Sequence, residues 1–225
     1  PRADDDTVIP MELIRGAVNR DVDLTASEPI VWGLDVARFG GDNSALCVRQ
    51  GNTVFEVTTF ESMDLMQLCG VINNRYQDSL ILEKPQEILI DSIGIGSGVV
   101  DRLRELNLPV RGINVAEAPS SKKNFLNLRA ELWFAIKDWL QGRDTRIPDD
   151  DELVRELASP GYKYTSTGKI KIESKEEMRK RGVKSPDRAD ALALTMATNS
   201  IGGGTMSFLG YNFKKPLKSK IIRVG

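Results

Sequence analysis

The sequence predicts an α/β protein built on one mixed central sheet, and three observations predict it. Apolar runs rich in Val, Phe and Thr crowd residues 30–60, separated only by short glycine-bearing breaks, the pattern of an antiparallel meander. A different unit follows, strand then glycine loop then helix then strand, whose size requires parallel pairing with a right-handed crossover. The second half carries helical periodicity, with one strong amphipathic segment and a late acidic one.

The elements follow in order. Residues 1–29 read as a lead-in: the acidic start Pro1-Arg2-Ala3-Asp4-Asp5-Asp6, a short amphipathic stretch over 10–18, then polar sequence. The chain starts without Met, so it is expected to be a piece of something longer, joined through 1–29 to an upstream domain. Strands are predicted over 30–36, 45–49 and 53–60, with breaks at Arg38-Phe39-Gly40-Gly41-Asp42-Asn43 and Gln50-Gly51-Asn52. Met63, Met66, Leu68, Val71 and Ile72 lie at helical spacing and predict a helix over 63–77. Residues 87–91 read as a buried strand, 92–98 as a glycine loop, 99–106 as a helix and 109–114 as a strand. Leu128, Leu132, Trp133, Ile136 and Leu140 share one face of a helix over 124–141, and a shorter helix follows over 149–157. Residues 162–164 and 169–172 bracket Ser166-Thr167-Gly168 as a hairpin. The last helix is predicted over 186–200, with Ser185 as N-cap and Pro186 as its first residue. Beyond Gly202-Gly203-Gly204 runs a tail whose charges (Lys214, Lys215, Lys218, Lys220, Arg223) are all basic, so that 201–225 stands apart from a core domain over 30–200. This order matches a ribonuclease H-like fold: a mixed sheet, helices on both faces, and the first and fourth strands side by side.

Composition narrows the chemistry. The chain has 225 residues, 40% of them hydrophobic and 28% charged, enough for an ordinary buried core. A net charge of −1 gives no bulk attraction for nucleic acid, so any such binding has to use a local patch. Cys47 and Cys69 lack metal-ligand spacing and read as reduced, buried thiols. Neither a signal-peptide core nor an apolar run of membrane-spanning length is present in the sequence. Histidine is absent altogether. Proton removal and metal ligation therefore fall to carboxylates, which favours oxygen-ligated Mg²⁺ or Mn²⁺ over zinc.

Four aspartates are the candidate site. Asp35 ends the run Ile30-Val31-Trp32-Gly33-Leu34, and Asp91 ends Ile88-Leu89-Ile90. Each alone reads as a turn residue. On strands that the topology makes neighbours, the pair reads as a shared metal site, because a carboxylate at a buried strand end is costly unless a cation offsets its desolvation. Gly33 would let another backbone approach closely. Asp187 and Asp190 open the last helix at i, i+3 and share a face. The helix dipole alone favours acids there by about 0.3–1 kcal/mol each. Asp187 is the favoured ligand, with Asp190 a second ligand or an orienter. Asp42 reads as a turn residue that could border the site.

The loop Ser92-Ile93-Gly94-Ile95-Gly96-Ser97-Gly98 follows a strand and precedes a helix, yet fits neither a dinucleotide fingerprint nor a P-loop. Its glycines are expected to let substrate or a neighbouring loop come close. Basic residues cluster at Lys122-Lys123, over 175–184 with Arg179, Lys180 and Arg181, and in the tail. A charge run is by default a solvated face. The middle one leads directly to the late acids, a placement that suits phosphate contacts.

The combination Gly33-Leu34-Asp35-Val36-Ala37 with Gly41-Asp42-Asn43-Ser44, Ile90-Asp91-Ser92-Ile93-Gly94-Ile95-Gly96, Asn124-Phe125-Leu126-Asn127-Leu128-Arg129-Ala130-Glu131-Leu132-Trp133 and Lys184-Ser185-Pro186-Asp187-Arg188-Ala189-Asp190-Ala191-Leu192 resembles the C-terminal nuclease domain of the large terminase subunit of tailed bacteriophages, in order from about residue 30 to 200. The resemblance implies a metal-dependent endonuclease that cuts concatemeric double-stranded DNA during genome packaging in the host bacterial cytoplasm. It implies an ATPase domain upstream, and the portal protein and small terminase subunit as partners. It maps the first-strand acid onto Asp35, the second onto Asp91, and the late acidic motif onto Asp187 and Asp190. Two divalent ions, Mg²⁺ or Mn²⁺, about 3.5–4 Å apart would be bridged by Asp35 and held by Asp91 and Asp187, with Asp190 assisting. A junction resolvase or integrase-type nuclease, or a module that mainly docks to the portal or the motor, are the alternative readings.

Overall fold

The computed structural model describes residues 7–37, 43–198, 206–208 and 211–213. Asp42, most of its loop, and the basic residues of the tail lie outside the described residues.

A five-stranded sheet forms the frame, built from β1 (Ile30–Asp35), β2 (Ser44–Gln50), β3 (Thr53–Phe60), β4 (Glu87–Asp91) and β5 (Val110–Ile113) in the order β3-β2-β1-β4-β5. The first three strands pair antiparallel as the meander predicts, while β1–β4 and β4–β5 are parallel. The parallel register pairs Leu34 with Ile90, so Asp35 and Asp91 stand one residue further on, at the same end of adjacent strands.

Strand alternation sorts the two faces. Trp32, Leu34, Leu46, Val48, Ile88 and Ile90 point into a core covered by α2 (Leu65–Asp78) and α3 (Gly96–Glu105). Ala45, Cys47, Val54 and Val57 point to the other face, covered by α1 (Met11–Ala17), α4 (Leu128–Gln141), α5 (Asp151–Ala158) and α7 (Asp187–Thr195). Asp35 and Asp91 share the parity of the second face. Helix α7 crosses β1 closely, because Gly33 has no side chain: a Cβ there would lie 2.1 Å from the Ala191 carbonyl oxygen. A hairpin of β6 (Tyr162–Tyr164) and β7 (Ile170–Ile172) leads through Ser174 to α6 (Lys175–Lys180). A short antiparallel pair, β8 (Met206–Phe208) and β9 (Tyr211–Phe213), lies beyond α7. Strand β3 is a sheet edge, where Arg188 donates to the Val57 carbonyl (3.0 Å) and the Arg146 carbonyl accepts the Val54 N–H (2.9 Å).

Several sequence expectations need correction. The stretch read as a lead-in is not a linker over its first half, since Val8, Ile9, Ile14 and Ala17 are fully buried in the main core. Helix α4 starts at Leu128 rather than 124, because Asn127 caps it by accepting the Ala130 N–H. Residues 175–180, read as a basic run, are a helix that starts with a capping box between Ser174 and Glu177. Ser185 does not cap α7. Pro186 holds the N-cap position, and the buried Glu156 of α5 supplies the acceptor instead, taking the Ala189 N–H at 2.9 Å. The opposite end of α7 is met by Arg49 of β2, which donates to the Thr195 carbonyl (2.8 Å) and hydroxyl (2.9 Å). Glu156 thus satisfies a first-turn N–H, while the Arg49 cation at the C-terminus complements the helix dipole.

Candidate metal centre

Three acids from three elements line one cleft of about 280 Å³: Asp35 from β1, Asp91 from β4 and Asp190 from α7. The cleft wall also includes Arg129, Lys171 and Lys175. Asp35 and Asp190 are only 6% and 8% exposed, so neither can shed its charge cost into water. Asp91 is held by the main chain, its Oδ1 accepting the Ile93 N–H at 3.1 Å. Gly96 follows from that turn, since a Cβ on it would sit 1.9 Å from the Asp91 carbonyl oxygen.

The late acids separate. Asp190 lines the cleft; Asp187, the acid favoured from the sequence, lies beside it, with Oδ2 accepting the Asn43 N–H (3.1 Å). The Lys175 ammonium stands among the acids, 3.1 Å from Asp35 Oδ2, 3.3 Å from Asp190 Oδ2 and 3.5 Å from Asp187 Oδ1. Among the described residues, no three acids close into a ready-made coordination cage. The monovalent cation instead marks where positive charge is needed.

The electrostatics carry the same message. Burial pushes the Asp35 carboxyl up to about 7; Lys175 pulls it down, while Asp190 and Asp187 add to the rise. Burial also raises Asp91, partly offset by the Ile93 hydrogen bond. Burial would raise Asp190 as well, but Arg129, then Lys175, then the Trp133 hydrogen bond outweigh it and hold its pKa below the ordinary carboxylate value. Burial opposes the charge on Lys175, and Asp35, Asp190 and Asp187 overcome that and hold it protonated. A set of buried carboxylate oxygens short of positive charge fits a hard divalent cation, and the absence of nitrogen and sulfur ligands fits Mg²⁺ or Mn²⁺.

Arg129 and Trp133, which hold Asp190, and Glu156, which supports α7 behind the cleft, have no site role assigned from the sequence, although Arg129 and Trp133 fall within the motif that carries the resemblance. Lys175 opens the basic run read as suited to phosphate contacts beside the acids, and its ion pairs with the acids themselves are what that reading lacks. The i, i+4 spacing of Arg129 and Trp133, both able to donate to a carboxylate, was the available signal.

The fold has solved counterparts. A variant nuclease domain of the large terminase subunit gp2 of bacterial virus Sf6, with manganese and beta-thujaplicinol, is similar with a TM-score of 0.72 and 20% identity, covering 85% of this chain and 98% of that one. The large terminase nuclease from thermophilic phage G20c with bound magnesium gives 0.63 and 14%, over 88% and 98%. The nuclease domain of the large terminase of Thermus phage P74-26 gives 0.56 and 11%, over 82% and 92%. The fold is that of phage terminase nucleases. No protein-family model and no curated sequence matches the chain. The terminase-nuclease fold is ribonuclease H-like, as the element order predicts, and the mixed sheet with its antiparallel meander and helices on both faces is borne out.

Proposed function

We propose that this chain is the metal-dependent nuclease domain of a phage large terminase subunit, cutting concatemeric double-stranded DNA during genome packaging. The observation that carries the reading is the convergence of Asp35, Asp91 and Asp190 on one cleft, with the Lys175 ammonium among them. The structural likeness to terminase nucleases, some with manganese or magnesium, supports it.

In this reading Asp35, Asp91 and Asp190 hold the divalent ions, and Asp187 supports them from the first turn of α7. Bound there, Mg²⁺ or Mn²⁺ would activate a water and stabilise the leaving 3′ oxygen. Lys175 keeps the acids together when no metal is bound, and its partly exposed chain can swing aside to make room. Once displaced, its ammonium is placed to meet a DNA phosphate beside the acids, and Lys171 lines the same cleft. Backbone contacts of this kind are salt-sensitive, so cleavage should weaken steeply between about 50 and 200 mM salt.

The remaining expectations belong to the same proposal: an upstream ATPase domain, portal protein and small terminase subunit as partners, and the host cytoplasm as the place of action. A surface for docking is offered by Leu80-Ile81-Leu82, exposed by 68%, 86% and 88%, on the connection that enters β4 at the end away from the acids.

The test is Asp35→Asn. It should abolish Mn²⁺-dependent nicking of supercoiled plasmid while leaving the circular-dichroism spectrum and melt intact. Nicking at near wild-type rate by the substituted protein would remove the acid centre from the chemistry.

A further inference from the structure

Asp190 is gripped by two donors from α4. Arg129 Nη2 donates to its Oδ1 at 3.1 Å and to Oδ2 at 3.4 Å, and Trp133 Nε1 donates to Oδ1 at 2.8 Å. The two donors sit one turn apart on α4, with the guanidinium 5.8 Å from the Trp133 ring centroid. Trp133 and the shorter Arg129 contact both fall on Oδ1, and Oδ2, which takes only the longer Arg129 contact, is the oxygen nearer Lys175. Arg129 also reaches away from the cleft, Nη1 donating to the Glu173 carbonyl at 2.9 Å. Glu173 is itself clamped by Arg181 at 2.8 and 2.9 Å, and by the Gly161 N–H at 3.2 Å. Residue 173 lies between β7 and α6, two positions before Lys175.

We infer that Arg129 and Trp133 are positioning residues that set the Asp190 carboxylate with Oδ2 toward the cleft, and that Arg129 ties this setting to the segment carrying Lys175. The inference rests on the metal-centre reading above. A carboxylate on a helix has two free torsions, and a ligand that must find its rotamer on each binding event spends entropy doing so. Donors to the outer oxygen remove that freedom in advance. Partners of this kind are typically worth 10–100-fold in metal affinity. Charge alone predicts the reverse for Arg129, since a cation beside a divalent-ion site opposes binding. Positioning and charge therefore act in opposite directions and can be told apart.

The experiment is a Mn²⁺ titration of the 225-residue chain, followed by the electron paramagnetic resonance signal of free Mn²⁺, with melting curves in chelator alongside. Trp133→Phe removes the indole N–H and keeps a ring. Arg129→Lys keeps the charge and removes the fork. Both are expected to weaken Mn²⁺ binding by about 10-fold, and to lower kcat for plasmid nicking more than they change KM for DNA. Mn²⁺ affinity within twofold of wild type in both variants would overturn the inference, whatever happens to the melting temperature. If Trp133→Phe does not fold, Arg129→Lys decides alone by the same criterion. Asp35→Asn is the control for the underlying reading: if it too leaves Mn²⁺ binding intact, the metal centre fails; if it abolishes binding while the other two do nothing, only the positioning role falls.

Discussion

The two faces of the sheet are built on different rules. Under α2 and α3 the buried strand residues are Trp32, Leu34, Leu46, Val48, Ile88 and Ile90, all apolar. Under α7 the same strands present the buried Asp35 and Arg49, and the helices above them bury Asp187, Asp190 and Glu156. The α2/α3 face is held by apolar burial alone, which tolerates imprecise geometry as long as volume is kept. The α7 face has its own, larger apolar core and adds buried charges that are costly unless each finds its partner. Both sides of the strands carry stability while the chemistry sits on one, and the faces should respond differently to substitution.

Leu103→Ala, in the fully buried heart of the α2/α3 side, should give the largest loss of stability, about 2–5 kcal/mol in urea unfolding. Mn²⁺ affinity should stay unchanged. A matching loss of affinity would mean the faces are not independent. Gly33→Ala should cost less, about 1–3 kcal/mol, yet it should weaken Mn²⁺ binding in the same titration. The new methyl has to push the Ala191 carbonyl away and carry α7, with its acids, off β1.

Glu156→Gln should have the smallest effect, visible as a change of slope with pH. Burial raises the Glu156 carboxyl to about 8, offset in part by hydrogen bonds from the Ala189 and Arg188 amides. An unfolded glutamate loses its proton near 4.5, the folded one only near 8. The native state binds the extra proton across that window, so this group's contribution to stability falls as pH rises from about 4.5 to 8. Glutamine can still accept from Ala189 and cannot titrate. The drop in melting temperature from pH 5 to pH 8 should therefore be shallower in the substituted protein. An equally steep drop in both would show that Glu156 contributes none of it.

What was legible in the sequence was what local pattern encodes. Runs rich in Val, Phe and Thr between glycine breaks predict the meander, and Asp35 and Asp91 stand out because each ends a wholly apolar run. What was illegible depends on partners far along the chain. Lys175 reaches Asp35 across 140 residues, and Arg129 reaches Asp190 across 61. The Ser185-Pro186 signal misled for the same reason: capping preferences describe the nearest available acceptor, and here Glu156 arrives from another helix. Residues 10–18 are too short for periodicity to distinguish a tether from a packed helix, and only burial of Ile14 and Ala17 does so. Between Asp187 and Asp190 the choice of cleft-lining acid depends on which flank of α7 faces β4, a rotation that i, i+3 spacing leaves open.

Arg188 sits between those two acids and stops the edge of β3 through the Val57 carbonyl. A foreign strand extending the sheet on that side would have to displace this guanidinium from the Val57 carbonyl, so the side chain between the two late acids also guards the open edge of β3.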